Sequence, residues 1–241
     1  MLLLLALTIA LSLSSPATAQ SEVDLELVLL ADSSGSIDDG EIMFQRQGYA
    51  TAITDPEVIA AIGNTAYGSI AVTYVEWGQF DSQDVVVPWT ILDGADTAQA
   101  FAEALMNPPR RARGRNSIGA ALLFGRDMIE GNNIRGWRRI IDFSGDSAGN
   151  FNGPSIGEGR RAALDAGITI NGLAILCRRC ASGRSGFGDL EDEFEYLIIG
   201  GPGAFVVTAD GGAAFADAVK RKLILEISGR RPVATIAQAA R

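Results

Sequence analysis

Asp32, Ser34 and Ser36 alternate along Asp32-Ser33-Ser34-Gly35-Ser36. A carboxylate and two hydroxyls gathered in one turn are hard oxygen donors, the kind that suits a divalent cation such as Mg²⁺. Asp and Ser are also favoured turn and N-cap residues. On this stretch alone, Asp32 or Ser36 capping the next helix is the rival reading. Two other segments offer similar donors. Gly114-Arg115-Asn116-Ser117-Ile118 places an amide and a hydroxyl where a loop opens into a helix, with capping again the rival. Arg139-Ile140-Ile141-Asp142-Phe143-Ser144-Gly145-Asp146 reads as a strand ending in a turn that carries Asp146. Asp142, inside that strand, is a candidate for a buried polar contact instead.

The elements that must position these residues alternate between two periodicities. Apolar, β-rich runs at 24–31, 69–76, 84–90, 138–143, 168–176 and 204–208 read as strands. Helices are expected at 38–53, 56–62, 96–106, 117–130, 154–166, 189–198 and 212–227. Ile118, Ala121, Leu122, Gly125 and Ile129 recur at helical spacing, as do Phe215, Val219, Leu223 and Ile227. Runs 24–31 and 168–176 are apolar almost throughout, as parallel strands covered on both faces require. Only a short polar link separates 69–76 from 84–90, so that pair is expected to form an antiparallel hairpin. The predicted fold is a doubly wound, mostly parallel α/β sheet flanked by helices, with one antiparallel edge strand. In such sheets ligands bind beyond the carboxyl ends of the strands. All three donor segments lie there.

This set of loops resembles the von Willebrand factor type A domain family, over about residues 23 to 228. The family's metal-ion-dependent adhesion site combines a DxSxS loop, a Thr in a second loop, and an Asp after the fourth strand. Asp32, Ser34 and Ser36 match the first loop in full, and Asp146 matches the third-loop Asp. Here Ser144-Gly145-Asp146-Ser147 replaces the commoner Thr-Asp-Gly. Asn116 stands at the second-loop Thr position with Ser117 beside it, and Gly119-Ala120-Ala121-Leu122 fits the rest of that loop. The chain looks most like a secreted bacterial branch of the family. The resemblance implies a non-catalytic adhesion module. Its divalent cation, Mg²⁺ with Mn²⁺ or Ca²⁺ as alternatives, is held by Asp32, Ser34, Ser36, Asn116 or Ser117, and Asp146. The implied partner is a protein presenting an acidic side chain. The Asn116 departure implies weakened or altered metal preference. Two alternatives stand beside this: a structural module that has lost its metal, and a metal-dependent hydrolase with Asp32 as nucleophile. Against the hydrolase, Ser34 stands where a second acid is wanted.

Composition narrows the chemistry further. The chain has no histidine, so a Ser-His-Asp triad, an HExxH zinc site and an imidazole base are excluded. A formal net charge of −9 gives no general attraction to nucleic acid or anionic lipid. Residues 1–19 read as a signal peptide: an apolar run followed by Ala17-Thr18-Ala19, without a basic n-region. That run is short for a membrane span, so the mature chain is expected to be secreted or periplasmic. A single domain is expected over 20–228, with a tail at 229–241. In an oxidising compartment Cys177 and Cys180 are expected to form a loop disulfide. Arg110, Arg111, Arg113 and Arg115 form a basic rim beside the site, or a solvated loop. Trp77 reads as a packing residue or part of the binding face, and Glu76 as a partner behind the site.

Overall fold

The computed structural model describes residues 20–176, 189–210 and 214–232. The proposed leader, the Cys177–Cys180 pair and most of the tail lie outside the described residues. Strand β1 (Ser21–Asp32) is followed by helices α1 (Asp39–Ile53) and α2 (Pro56–Gly63). Strands β2 (Ile70–Trp77) and β3 (Gln83–Leu92) lead to α3 (Ala95–Met106) and α4 (Ile118–Glu130). Then β4 (Ile134–Gly145), α5 (Ile156–Asp165), β5 (Thr169–Leu176), α6 (Asp189–Leu197), β6 (Val206–Asp210) and α7 (Ala214–Ser228) alternate.

The strands form one six-stranded sheet in the order β3-β2-β1-β4-β5-β6. All neighbours pair in parallel except β2 and β3. The β2–β3 hairpin is therefore the expected antiparallel edge. Its register shifts between Val72 and Val75, opposite the stretch that holds Pro88. A proline donates no ladder hydrogen bond, and an edge strand accommodates it. Strands β1 and β4 begin earlier than their apolar runs. The first residues of β4 alternate in exposure, so they read as strand only once a neighbour is present.

Alternate side chains of β1 enter two cores. Leu25, Leu27 and Leu29 pack with residues of α1, α2, α3 and α7. Val28 and Leu30 pack with residues of α4, α5 and α6 on the opposite face. The sheet is thus covered on both sides, which is why its central strands carry so little polar sequence. From β1 the chain steps outward to β2, and from β4 it steps outward to β5 in the other direction. The strand order therefore reverses between β1 and β4, a topological switch point of the kind where open α/β sheets hold ligands. Asp32 ends β1 and Asp146 directly follows β4, so both stand at that crevice. Among the described residues no helix is long and apolar enough to cross a membrane.

Candidate metal centre

The turn after β1 is built by its own side chains. Asp32 Oδ1 accepts the Ser34 amide at 2.8 Å, and Ser33 N donates to Trp77 O at 2.8 Å. Gln45 of α1 reaches back to Asp32 O at 3.1 Å. Neither Asp32 nor Ser36 caps α1. Asp38 does, accepting from Glu41 N while Glu41 accepts from Asp38 N, each at 2.8 Å. This capping box satisfies the helix start and leaves the Asp32 and Ser36 side chains for another task.

Four of the six expected ligands come together. Ser34 Oγ lies 3.2 Å from Ser36 Oγ, and Ser36 Oγ donates to Asp146 Oδ1 at 3.4 Å. Asp32 and Asp146 are both buried. The second oxygen of each, Asp32 Oδ2 and Asp146 Oδ2, is buried with no hydrogen-bond partner. Gly145 makes the approach possible: a Cβ there would lie 3.3 Å from Asp32 Oδ2. Burial raises the Asp32 pKa to about 7, with the neighbouring Asp146 charge adding to it and hydrogen bonds from Ser34 opposing it. Burial also raises Asp146 above the ordinary carboxylate range, opposed by the Ser36 hydroxyl and reinforced by Glu41. Among the described residues no Lys or Arg forms an ion pair with either aspartate. Two buried carboxylates with free oxygens and adjoining hydroxyls fit a hard divalent cation, which supplies the positive charge the side chains lack.

The second loop lies against the first. Gly35 N donates to Gly114 O at 2.8 Å and Ser117 N to Gly78 O at 3.0 Å. Gly114 takes φ +99°, a conformation that glycine adopts without steric cost. Asn116 and Ser117 are buried, and neither side chain bonds to the other four residues. Ser117 Oγ donates instead to Asn152 O at 2.6 Å and makes no side-chain cap on α4. The Asn116 side chain holds no hydrogen bond among the described residues, so it is the less committed of the two second-loop candidates.

Several side chains that hold this edge carry no motif in the sequence. Asn152 accepts from Phe80 N at 2.9 Å and donates to Arg115 O at 3.1 Å. Asn150 accepts from Gly119 N at 3.2 Å. Together they brace the loop after β4 against the second loop. An Asn-x-Asn beside glycines signals such turns, and Asn150-Phe151-Asn152-Gly153 has that form. Of the four arginines, Arg111, Arg113 and Arg115 are exposed at the rim. Arg111 pairs with Asp84 at 3.5 Å, and Arg115 lies over the Phe151 ring at 4.7 Å. Arg110 departs from the rim reading: its side chain is 9% exposed and points into the Asp32 turn. Trp77 is a packing residue. It is fully buried, stacks on Phe143 and donates to Ser144 O at 3.2 Å. Glu76 is paired with Arg46 at 2.7 Å, both buried.

The family model described as "Protein of unknown function (DUF1194)" matches residues 22–231. No curated protein matches the chain. Solved structures with the same fold include proximal thread matrix protein 1 from the mussel byssus, at 18% identity and a TM-score of 0.57. That match covers 86% of this chain and 48% of the mussel protein, which has also been solved with a zinc-occupied MIDAS motif. The pilus adhesin SpaC from Lactobacillus rhamnosus GG matches at 15% identity and a TM-score of 0.57, over 86% of this chain and 30% of SpaC. The vWF domain of the pili tip protein Mfa5 from Porphyromonas gingivalis matches at 9% identity and a TM-score of 0.53. Here the coverage is 88% of this chain and 97% of that domain. This chain thus spans about half or less of the mussel protein and of SpaC.

Proposed function

The chain belongs to the DUF1194 family and has the von Willebrand factor A fold, and on that premise we propose that it is a non-catalytic binding module gripping an acidic protein partner through a divalent cation. The observation that carries this reading is the pair of buried, unpartnered oxygens, Asp32 Oδ2 and Asp146 Oδ2. They belong to residues at the switch-point edge of the sheet, where the hydroxyls of Ser34 and Ser36 adjoin Asp146. In this reading Asp32 and Asp146 balance the cation's charge, and Ser34 and Ser36 add neutral donors. Asn116, not Ser117, serves from the second loop, because the Ser117 hydroxyl is tethered to Asn152 O, whereas the Asn116 side chain is held by no hydrogen bond among the described residues and is left to turn to the cation. The cation, Mg²⁺ with Mn²⁺ or Ca²⁺ as substitutes, would leave a position for a carboxylate from the partner. The exposed Arg115 adds local positive potential to an acidic molecule, which favours approach of an acidic surface.

Other parts of the proposal rest on the sequence pattern and on the company the fold keeps. A pilus adhesin and a byssal thread protein are among its structural neighbours, and the first 19 residues have the form of a leader. The chain is accordingly proposed to be exported, with Cys177 and Cys180 joined as a disulfide. Calorimetric titration of the wild type and Asp32→Ala with Mg²⁺, Mn²⁺ and Ca²⁺ tests the core of the reading. Binding by the wild type and none by the variant is expected. Equal heats from the two proteins would sink the metal hypothesis. Turnover of a generic phosphoester that disappears in Asp32→Ala would replace the binding role with an enzymatic one.

A further inference from the structure

We infer that Arg110 is a positioning residue for this cation site: it holds the Asp32–Ser36 turn in its ligating shape and locks it to the Asn116 loop. The inference rests on the cation-binding reading above. Three of the five hydrogen bonds that the Arg110 guanidinium donates go to that turn. Nη2 donates to Ser33 O at 2.7 Å and to Ser34 O at 2.9 Å. Nε donates to Ser33 Oγ at 3.0 Å, and Nη1 to Asp39 Oδ1 at 3.0 Å. Ser33 Oγ in turn donates to Ala112 O at 2.8 Å. Two consecutive carbonyls of the turn are thus drawn toward one planar cation that belongs to the second loop.

The consequence for the ligands is geometric. With both carbonyls held by Arg110, the Ser34 amide is left to bond Asp32 Oδ1. The Ser34 and Ser36 hydroxyls are left to meet each other and Asp146. Ser34 O also accepts from Ile37 N at 3.0 Å, so the loss falls on Ser33 O. Ser33 is fully buried, and little water is at hand to satisfy that carbonyl if the guanidinium is removed. Arg110 shapes the turn without competing for the site's charge. Its ion-pair partner is the exposed Asp39, not Asp32 or Asp146. A lysine could not reproduce the set, because an ammonium lacks the fixed fork that spans two carbonyls and a hydroxyl at once. The neighbouring Arg113 is exposed and serves as the internal control.

The test compares wild type, Arg110→Met, Arg110→Lys and Arg113→Met in two assays. In the cation-free protein, amide hydrogen exchange at residues 33–37 is expected to quicken in Arg110→Met and not in Arg113→Met. In titration with Mn²⁺, Arg110→Met is expected to bind about 10- to 100-fold more weakly, the usual cost of losing a group that orients metal ligands. Arg110→Lys should fall between that variant and the wild type, and Arg113→Met should match the wild type. Mn²⁺ affinity in Arg110→Met equal to wild type overturns the inference, as does unchanged exchange at 33–37. If Arg110→Met loses protection throughout the sheet, Arg110→Lys carries the comparison. Wild-type protein that takes up no cation sinks the metal reading separately, and the exchange assay then decides whether Arg110 shapes the turn.

Discussion

The molecule buries two clusters of carboxylates along β4 and treats them differently. One is Asp142 of β4 with Glu226 of α7. Between them sits Lys222, 2.8 Å from Asp142 Oδ1 and in contact with Glu226 Oε1. Asn171 adds a hydrogen bond to Glu226 at 2.9 Å. The other is Asp32 with Asp146, four residues further along the chain from Asp142. Burial lifts Glu226 to about 7, as it does Asp32. The first cluster carries its own cation, fully buried. The second has hydroxyls where an ammonium would be, and it opens at the half-buried Ser36. A buried charge is tolerated when it is paired. The first cluster therefore has a resident counter-ion, although Asp142 Oδ2 and Glu226 Oε2 also lack hydrogen-bond partners. The second has none, and in the proposed reading an ion from solution supplies it.

The sharpest way to break this contrast is to remove the resident cation. Lys222→Met leaves two carboxylates unpaired in the core and is expected to cost about 3–5 kcal/mol. Chemical denaturation checks it. A loss below about 1 kcal/mol would mean the ammonium is not the counter-ion proposed here. Glu226→Gln should act in the opposite direction, since it keeps an acceptor for Lys222 and Asn171 and leaves Lys222 paired with Asp142. The Glu226 pKa is higher in the folded state (about 7) than its ordinary 4.5. Its contribution to stability is thus fully present below about pH 4.5 and lost as pH rises through 7. Glu226→Gln removes that loss, and its advantage over wild type should grow across this window to at most about 3 kcal/mol. Parallel stability–pH curves for the two proteins would contradict it.

At the open cluster, a cation near 100 times its Kd should stabilise the wild type by about 2.7 kcal/mol. For a domain of this size that is a rise in melting temperature of roughly 5–10 °C. Asp32→Asn should show no rise, and a differential scan with and without Mn²⁺ decides it. The smallest effect separates the second-loop candidates. Asn116→Ala is expected to weaken Mn²⁺ binding about tenfold, or about 1.4 kcal/mol. Ser117→Ala should leave affinity nearly unchanged while lowering stability by about 1 kcal/mol, because Asn152 O loses its donor. The reverse pattern would move the ligand to Ser117.

Much of this was legible in advance because the relevant signals are local. Alternating apolar runs and helical stripes located every strand and helix to within a few residues. Asp32, Ser34, Ser36 and Asp146 announce themselves as donors at strand ends. Asp142 reads as a buried polar contact, but nothing local in the sequence points to its partner. Lys222 and Glu226 stand next to Leu223 and Ile227, and so on the buried stripe of α7. Helical spacing therefore places them among the buried positions. Arg110 is a different case. In sequence it is one of four similar arginines, and only the fold of the loop after Pro108-Pro109 sends its side chain inward. Such tertiary choices leave no periodicity to read. The roles of Asn150 and Asn152 were hidden for the same reason, since their partners lie on other loops.

The contact from Ser36 to Asp146 spans 110 positions in the chain, and β1 pairs with β4 across a similar gap. Closing so long a segment is entropically slow, and contacts of this span form late in folding. The two aspartates are therefore far apart until the sheet is assembled, and an ion has no site to recognise in the nascent chain. A cation that binds only the finished edge leaves the folding rate unchanged and retards unfolding. Its expected effect is kinetic persistence, read as a longer half-life in denaturant at an unaltered refolding rate.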